Sequence, residues 1–232
     1  MSIGISHFPP YSSLINGVAS GAEVEIVEQS FSMMNYQVKF VNYPFGRLPS
    51  VLSSEKVDGI IVTLKTIPQK IIFYSEIVLP EYQTVAIHLK KNNLSISAMK
   101  DLAGKSILAH QQASQFYGDE YRGIADAGSE NLEYSETVRQ GSQVLMLLKD
   151  RVDVIVLALE IYHYYQSGLE SKYTENEVVV SKIFGGKFGF HNAFLDKKVR
   201  DDFEQGLARI KENGQYSKIL EKYLKYYQPI AN

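Results

Sequence analysis

Cysteine is absent from this chain, and with it go disulfides, thiolate metal sites and a cysteine nucleophile. Tryptophan is absent too. No apolar run reaches the about 18 residues that a bilayer-spanning helix needs, and no stretch has the basic, apolar and small-residue order of a signal peptide. The formal net charge of -2 gives no general electrostatic reason to expect nucleic acid or an anionic membrane as partner. The five histidines (His7, His88, His110, His163, His191) include no His-x-x-x-His pair. Glu160-x-x-His163 has the spacing of a metal-binding helix but no second copy to complete a site. No Gly-x-Ser-x-Gly elbow occurs, and Gly185-Gly186 with Gly189 lacks the strand-to-helix setting of a phosphate loop. These absences leave no cofactor and no metal to expect. No internal repeat and no low-complexity segment is evident.

What is present is an ordinary globular balance, 45% apolar and 22% charged, with an unusual share of 16 Tyr and 11 Phe. At 232 residues the chain can form one domain or two. Ile3–Ile5 reads as a strand that leaves into a loop punctuated by Pro9-Pro10, and Asn16-Gly17 marks a turn. Val24, Val27, Phe31 and Met34 fall on one face of a helix. Gln37–Val41 alternates as a half-buried strand, and Leu48–Ser54 reads as a short helix. Ile60–Leu64 is a buried strand, followed by a Thr/Lys/Pro/Gln/Lys loop, a short apolar stretch ending in Tyr74-Ser75-Glu76, and a strand over Gln83–Leu89. Beyond Lys91 the pattern restarts: a short helix over Ser95–Leu102, a strand over Lys105–Ala109, a helix over Ala113–Tyr121 and a weaker strand over Leu132–Tyr134. A helix carrying Val144, Leu147 and Leu148 follows, then a buried strand over Val152–Leu157 and a helix through Tyr165. Tyr162, Tyr164 and Tyr165 read as packing rather than as a stacking platform for bases. Val178–Phe190 is extended. Two amphipathic helices, with Phe203, Leu207 and Ile210, then Ile219, Leu220, Tyr223 and Leu224, flank Asn213-Gly214. Strands alternating with helices predict a parallel, doubly wound α/β sheet.

Five phrases in fixed order carry a resemblance. Asp58, Tyr74-Ser75 and Glu81-Tyr82 mark the first. Asp101-Leu-Ala-Gly-Lys-Ser-Ile-Leu, Gln112-Ala-Ser114, Arg151-Val-Asp153, and Phe203–Leu224 around Asn213-Gly214 are the others. Together they resemble the bacterial extracellular solute-binding proteins of family 3, the amino-acid-binding kind, over nearly the whole chain. The resemblance implies two doubly wound α/β lobes of the type II periplasmic-binding fold. Residues 1–86 with 189–232 would form the first lobe and 87–188 the second. Strands near Gln83–Leu89 and Ile183–Phe190 would cross between them as a hinge, with the ligand held in the cleft and buried by closure.

The same resemblance implies a non-catalytic role, as the substrate-binding component of an ABC-type uptake system. The expected setting is periplasmic or extracellular. Met1-Ser2 lies directly on the first predicted strand, the start expected of a chain whose signal peptide has been removed. The expected partners are a small-molecule ligand and a membrane permease or signalling protein, not nucleic acid, and the expected state is a monomer. A sensory input domain and a cyclohexadienyl-dehydratase-like enzyme are the alternatives on this fold; the enzyme would need a cleft acid, for which Glu160 is the candidate.

Several positions inherit binding roles. Tyr11 would place a ring against the ligand, or else pack its loop onto its own lobe. Thr63 would give a hydroxyl or backbone contact, or simply end its strand. The family's carboxylate-binding Arg is missing from the loop after Ile60–Leu64. Lys65 or Lys70 would offer only a point charge there, since a lysine cannot reproduce the Arg fork, or would be solvated. Ser114, with Gln115, would begin a helix whose free N–H groups favour an anion or a carbonyl oxygen, a role compatible with an ordinary N-cap. The family's acid for a ligand ammonium falls on Ala158. Glu160, two residues on, would replace it, or act as a first-turn acid favoured by the helix dipole. With both charged anchors gone, the expected ligand is a small polar solute other than a standard amino acid.

Overall fold

A computed structural model describes residues 1–63, 67, 71–79, 82–170, 177–185 and 190–225, without the side chains of Val62 and Thr63. In chain order the elements begin with β1 (Ser2–Ile5), β2 (Ser13–Ile15), β3 (Val18–Ser20), α1 (Ala22–Ser32), β4 (Lys39–Asn42), α2 (Leu48–Ser53), β5 (Gly59–Thr63) and β6 (Phe73–Ile77). They continue with β7 (Thr84–Leu89), β8 (Ile107–His110), α3 (Ala113–Phe116), α4 (Gly118–Glu130), β9 (Tyr134–Thr137), α5 (Gln140–Leu148), β10 (Val154–Ala158), α6 (Leu159–Ser167) and β11 (Val178–Ser181). The chain then forms β12 (His191–Phe194) and two helices, labelled α7 (Lys197–Glu212) and α8 (Gln215–Tyr223). These elements fall into two compact units, Met1–Glu81 with Phe188–Asn232, and Tyr82–Lys187.

Each unit has its own sheet, and the two sheets share one topology. In the first the order is β4-β1-β5-β12-β6, in the second β9-β8-β10-β7-β11. β1 pairs parallel with β4 and β5, and β8 pairs parallel with β9 and β10. One strand in each sheet runs antiparallel to both of its neighbours: β12 to β5 and β6, β7 to β10 and β11. A wholly parallel sheet is therefore wrong for either unit. A chain that re-enters a sheet after a long excursion is free to pair antiparallel, and β12 does so after the whole second unit.

The shared topology carries a shared staple. Asp58, just before β5, accepts hydrogen bonds from the N–H (2.6 Å) and hydroxyl (3.1 Å) of Ser2 at the start of β1. Asp153, just before β10, accepts the same pair from Ser106 (2.8 and 2.9 Å), next to β8. Ser2-Ile-Gly-Ile with Val57-Asp58 thus corresponds to Ser106-Ile-Leu-Ala with Val152-Asp153, an internal repeat too short to stand out in the sequence. Hydrogen bonds to a charged acceptor are worth about 1.5–3 kcal/mol. Asp153→Ala, which leaves a half-buried Ser106 N–H without its acceptor, is expected to cost about 2 kcal/mol in urea-unfolding free energy. A loss below about 0.5 kcal/mol, the level of an ordinary surface change, would show the staple to be idle.

The first core forms where α1 and α7 cross the sheet. Phe31 of α1 meets Phe194 of β12 at 5.8 Å and Phe203 of α7 at 5.4 Å between ring centroids. Asp196 caps α7 by accepting from the Lys198 N–H at 2.6 Å. In the second unit Tyr121, Ile107, Val154 and Val156 centre the core, with Tyr117, Tyr134 and Phe184 packed against it.

Several local expectations change. Ser95–Leu102 holds only a 3₁₀ turn over Met99–Leu102, because the Asp101 carboxylate takes the Ser97 and Ala98 N–H groups (2.9 Å each) and competes with helix formation. The helix expected over Ala113–Tyr121 is two helices, broken where Gly118 takes φ 84. Leu132, at φ 61, forms the turn that precedes β9 and so starts no strand. Asn16 (φ 52) and Gly17 (φ 80) do make a turn, closing the short β2–β3 hairpin in the twist such hairpins favour. Of the stretches expected to cross between lobes, Gln83–Leu89 supplies β7, inside the second sheet. Ile183–Gly185 and Phe190 have no regular structure, and 186–189 lie outside the described residues.

Candidate functional site

Strand order reverses in both sheets. The chain leaves β1 for β4 on one side, then returns as β5 on the other; β8, β9 and β10 repeat the move. Loops after the carboxyl ends of such strands border a crevice in which open α/β sheets hold ligands. In the first unit those ends lead to the Pro9-Pro10-Tyr11 loop after β1 and to Thr63 at the end of β5. In the second they lead to Gln111–Ser114 after β8 and to Glu160 after β10. Tyr11, Thr63, Ser114, Gln115 and Glu160 therefore lie at the switch points of their own units. Lys65 and Lys70 lie outside the described residues.

Tyr11 is buried, 4% exposed. Its N–H donates to the Phe8 carbonyl at 2.8 Å, and its own carbonyl accepts the Glu23 N–H at 2.9 Å while Pro10 accepts that of Ala22. The loop thus caps the first turn of α1 through main-chain oxygens. The Pro9–Pro10 peptide is cis. Thr63 pairs with His191 of β12.

The second unit's switch point is a hydrogen-bonded polar edge. Gln112, at φ 66, donates its N–H to Glu136 Oε2 at 2.6 Å, and the Ser114 N–H donates to Oε1 at 2.8 Å. The Tyr134 hydroxyl donates to the same Oε1 at 2.9 Å. The N–H groups that make Ser114 an anion-binding candidate are thus occupied by a carboxylate of the chain itself. Burial alone would raise the Glu136 pKa, but the Ser114 N–H and hydroxyl, the Tyr134 hydroxyl and the Gln112 N–H outweigh it and hold the group below the usual glutamate value. Gln115 is exposed on α3, its N–H bonded to the Gln112 carbonyl.

Beside this carboxylate runs a second chain of bonds. His110 Nε2 lies 2.6 Å from the Tyr117 hydroxyl, which lies 2.9 Å from the Thr84 hydroxyl. His110 Nδ1 faces the Gln111 carbonyl at 3.0 Å. A carbonyl can only accept, so Nδ1 carries the proton, and in the neutral ring Nε2 accepts from Tyr117. Phe184 packs on the Tyr117 ring at 4.6 Å. Thr84 starts β7 opposite Ala158, the last residue of β10. Glu160, 6% exposed, sits in the first turn of α6.

Burial depresses the His110 pKa, against smaller opposing effects of the Gln111 carbonyl and the Glu136 charge. The folded state therefore binds fewer protons than the unfolded one just below the ordinary histidine value. Stability from this group is present above about pH 6.5 and falls as pH drops through that value. His110→Gln is expected to flatten the urea-unfolding free energy between pH 7 and pH 5; an unchanged slope would remove His110 as the source.

Glu136, Thr84 and Tyr117 carry this edge, and none of them is among the candidates the sequence offers. The available signal is faint: Tyr134 and Glu136 share one face of β9, two residues apart. Among the described residues, no three of His, Asp and Glu come together as a metal site.

Three relatives bear on what this edge belongs to. The chain is 25% identical over 233 aligned residues to the L-arginine-binding protein of Pseudomonas aeruginosa, covering 97% of this chain and 87% of that protein. It is similar in structure to an ancestral arginine-binding protein bound to arginine, with TM-score 0.75, 19% identity and 96% of each chain covered. It is also similar to a histidine kinase sensor domain related to periplasmic binding proteins, with TM-score 0.73, 21% identity, and 97% of this chain and 95% of that one covered. Residues 1–226 match the bacterial extracellular solute-binding proteins, family 3, and the chain belongs to that family.

Proposed function

We propose that this chain is the substrate-binding component of an ABC-type uptake system, acting outside the cytoplasmic membrane and holding a small polar solute without chemical change. The observation that carries the reading is the polar edge at the second unit's switch point. There Glu136, the Gln112 and Ser114 N–H groups, His110, Tyr117 and Thr84 are fixed by hydrogen bonds of 2.6–3.0 Å. Groups already held in place lose little freedom on binding, which is how a pocket gains affinity from few contacts. Tyr11 and Thr63 are the corresponding candidates of the first unit, Lys65 and Lys70 its candidate charges, and Ser114, Gln115 and Glu160 those of the second. A solute-binding protein of an amino-acid ABC transporter shares the fold at TM-score 0.72.

The test is thermal unfolding against a panel of amino acids, amines, organic acids and sugars. A ligand at a hundred times its Kd adds about 2.7 kcal/mol of stability, which a melting scan resolves. A shift with at least one compound is expected, and no shift with any overturns the reading. The same fold serves a histidine kinase sensor domain, so the alternative role is a sensory input domain. Stimulation of the cognate permease ATPase by the loaded protein separates transport from sensing. Prephenate is expected to remain unchanged; turnover abolished in Glu160→Gln would make the chain an enzyme instead.

A further inference from the structure

An asparagine followed by glycine is open to attack by its own main chain, because glycine has no side chain to shield the attacking nitrogen. The chain contains this pair twice, at Asn16-Gly17 and Asn213-Gly214. We infer that Asn16 is a site of spontaneous covalent modification, where the folded chain converts its own asparagine to aspartate and isoaspartate, and that the fold protects Asn213 from the same reaction.

The chemistry needs only water. The Gly17 nitrogen attacks Asn16 Cγ; the N–Cγ bond forms, the Cγ–Nδ2 bond breaks, and ammonia leaves with the nitrogen's proton. Water then opens the cyclic imide. Addition at Cγ restores the main chain and leaves aspartate. Addition at the Asn16 main-chain carbonyl carbon leaves isoaspartate, whose main chain runs through Cβ and Cγ. Either product adds a negative charge to the turn.

Both asparagines are exposed, so access to water does not separate them. Their bonds do. Asn213 Oδ1 accepts the Gln215 N–H, and its Nδ2 donates to Gln215 Oε1, each at 3.0 Å. The Gly214 N–H, which would be the nucleophile, donates to the Lys211 carbonyl at 3.3 Å. Rotating this pair towards attack would also disturb the ends of α7 and α8 that it joins. The Asn16 side chain takes part in no hydrogen bond among the described residues, and a Cβ built on Gly17 would meet nothing within 4 Å.

Attack requires the main chain at Asn16 to rotate, which a closed turn resists, but this turn opens at little cost. β2 and β3 have three residues each and form a two-stranded sheet of their own, an arrangement that is marginal by itself. Ile15 and Val18, the rung beside the turn, are 52% and 67% exposed, so parting them uncovers little further apolar surface. The Ser13 and Ser20 hydroxyls, 2.8 Å apart, close the far end and can stay paired while the tip opens. The hairpin leads from the Tyr11 loop to Gly21 and α1. The new charge, and in isoaspartate an extra main-chain carbon, therefore enters the link between them.

The test incubates the full chain at pH 8 and 37 °C, once folded and once in concentrated guanidinium chloride, and follows both asparagines by peptide mass after digestion. In the folded protein Asn16 is expected to convert at least tenfold faster than Asn213; in denaturant the two are expected to agree within threefold. Equal conversion in the folded protein overturns the inference. So does unmodified Asn16 in the folded protein when the denatured chain is fully converted. A tenfold difference that persists in denaturant overturns the protection of Asn213 by the fold. Asn16→Gly keeps a turn whose two residues both accept positive φ, and is expected to remove the acidic species that ion exchange resolves as the protein ages. An undiminished yield of that species overturns Asn16 as its source.

Discussion

Gly206→Ala is expected to lower the unfolding free energy by about 3 kcal/mol, the upper end of what overpacking costs. Gly206 lies in the middle of α7, where that helix crosses α1. A Cβ there would stand 2.6 Å from the Ser30 carbonyl carbon, nearer still to its oxygen, and 3.0 Å from its Cα. All three are backbone atoms, so no side-chain rotation relieves the clash, and the helices must move apart. That separation would loosen the Phe31, Phe194 and Phe203 cluster beneath them. In a chain of this size the loss corresponds to roughly 6–12 °C in Tm. Gly123→Ala is the control. It lies on the exposed side of α4, where a Cβ meets nothing within 4 Å, and it is expected to stabilise by about 1 kcal/mol through helix propensity alone. If the two substitutions change stability by similar amounts, helix propensity and not the α1–α7 approach governs position 206.

Gly206 also marks where sequence reading stops. The 3.6-residue spacing of Phe203, Leu207 and Ile210 announces α7 and its buried face, but a glycine inside that face reads only as a weakness of the helix. Its use depends on Ser30, far away in the chain. The long apolar runs, β5, β7, β8 and β10, are legible because a strand buried on both faces must be apolar throughout. The three-residue strands β2 and β3 and the bulged β12 are not, since their polar and small residues carry no period. The fold class follows from the order of the family phrases, and three of those phrases carry an aspartate, Asp58, Asp101 and Asp153, that holds backbone N–H groups. They are signals of architecture and not of ligand. The candidate site is legible to a smaller extent. Tyr11, Ser114 and Glu160 can be named from the sequence through its resemblance to the family. The carboxylate that fills the Ser114 N–H groups cannot, because Glu136 sits on an edge strand in a Tyr-Ser-Glu-Thr stretch whose alternation looks like an ordinary solvated face.

The second large effect is expected from Gly21→Ala, again about 3 kcal/mol, but from two sources. Gly21 has φ 125, which an alanine adopts only under strain, and its Cβ would lie 2.5 Å from the Tyr11 carbonyl carbon and 2.8 Å from the Ser12 nitrogen. The Tyr11 carbonyl is held there by the Glu23 N–H, and the Pro10 carbonyl by that of Ala22. The loop and the first turn of α1 are therefore locked at a distance that only glycine permits. Gly17→Ala isolates the first source. It has φ 80 in the exposed hairpin turn with nothing within 4 Å of a Cβ, so it is expected to lose only about 1 kcal/mol of strain. Equal losses at the two sites would show that backbone strain alone matters and that the contact with Tyr11 carries no energy. The comparison also reaches function. Pushing the Tyr11 carbonyl off α1 moves the ring attached to it. If that ring touches the solute, as proposed, Gly21→Ala weakens binding at least tenfold relative to Gly17→Ala at a temperature where both are folded. Unchanged affinity in a folded Gly21→Ala protein would remove Tyr11 from the binding surface and leave it as packing.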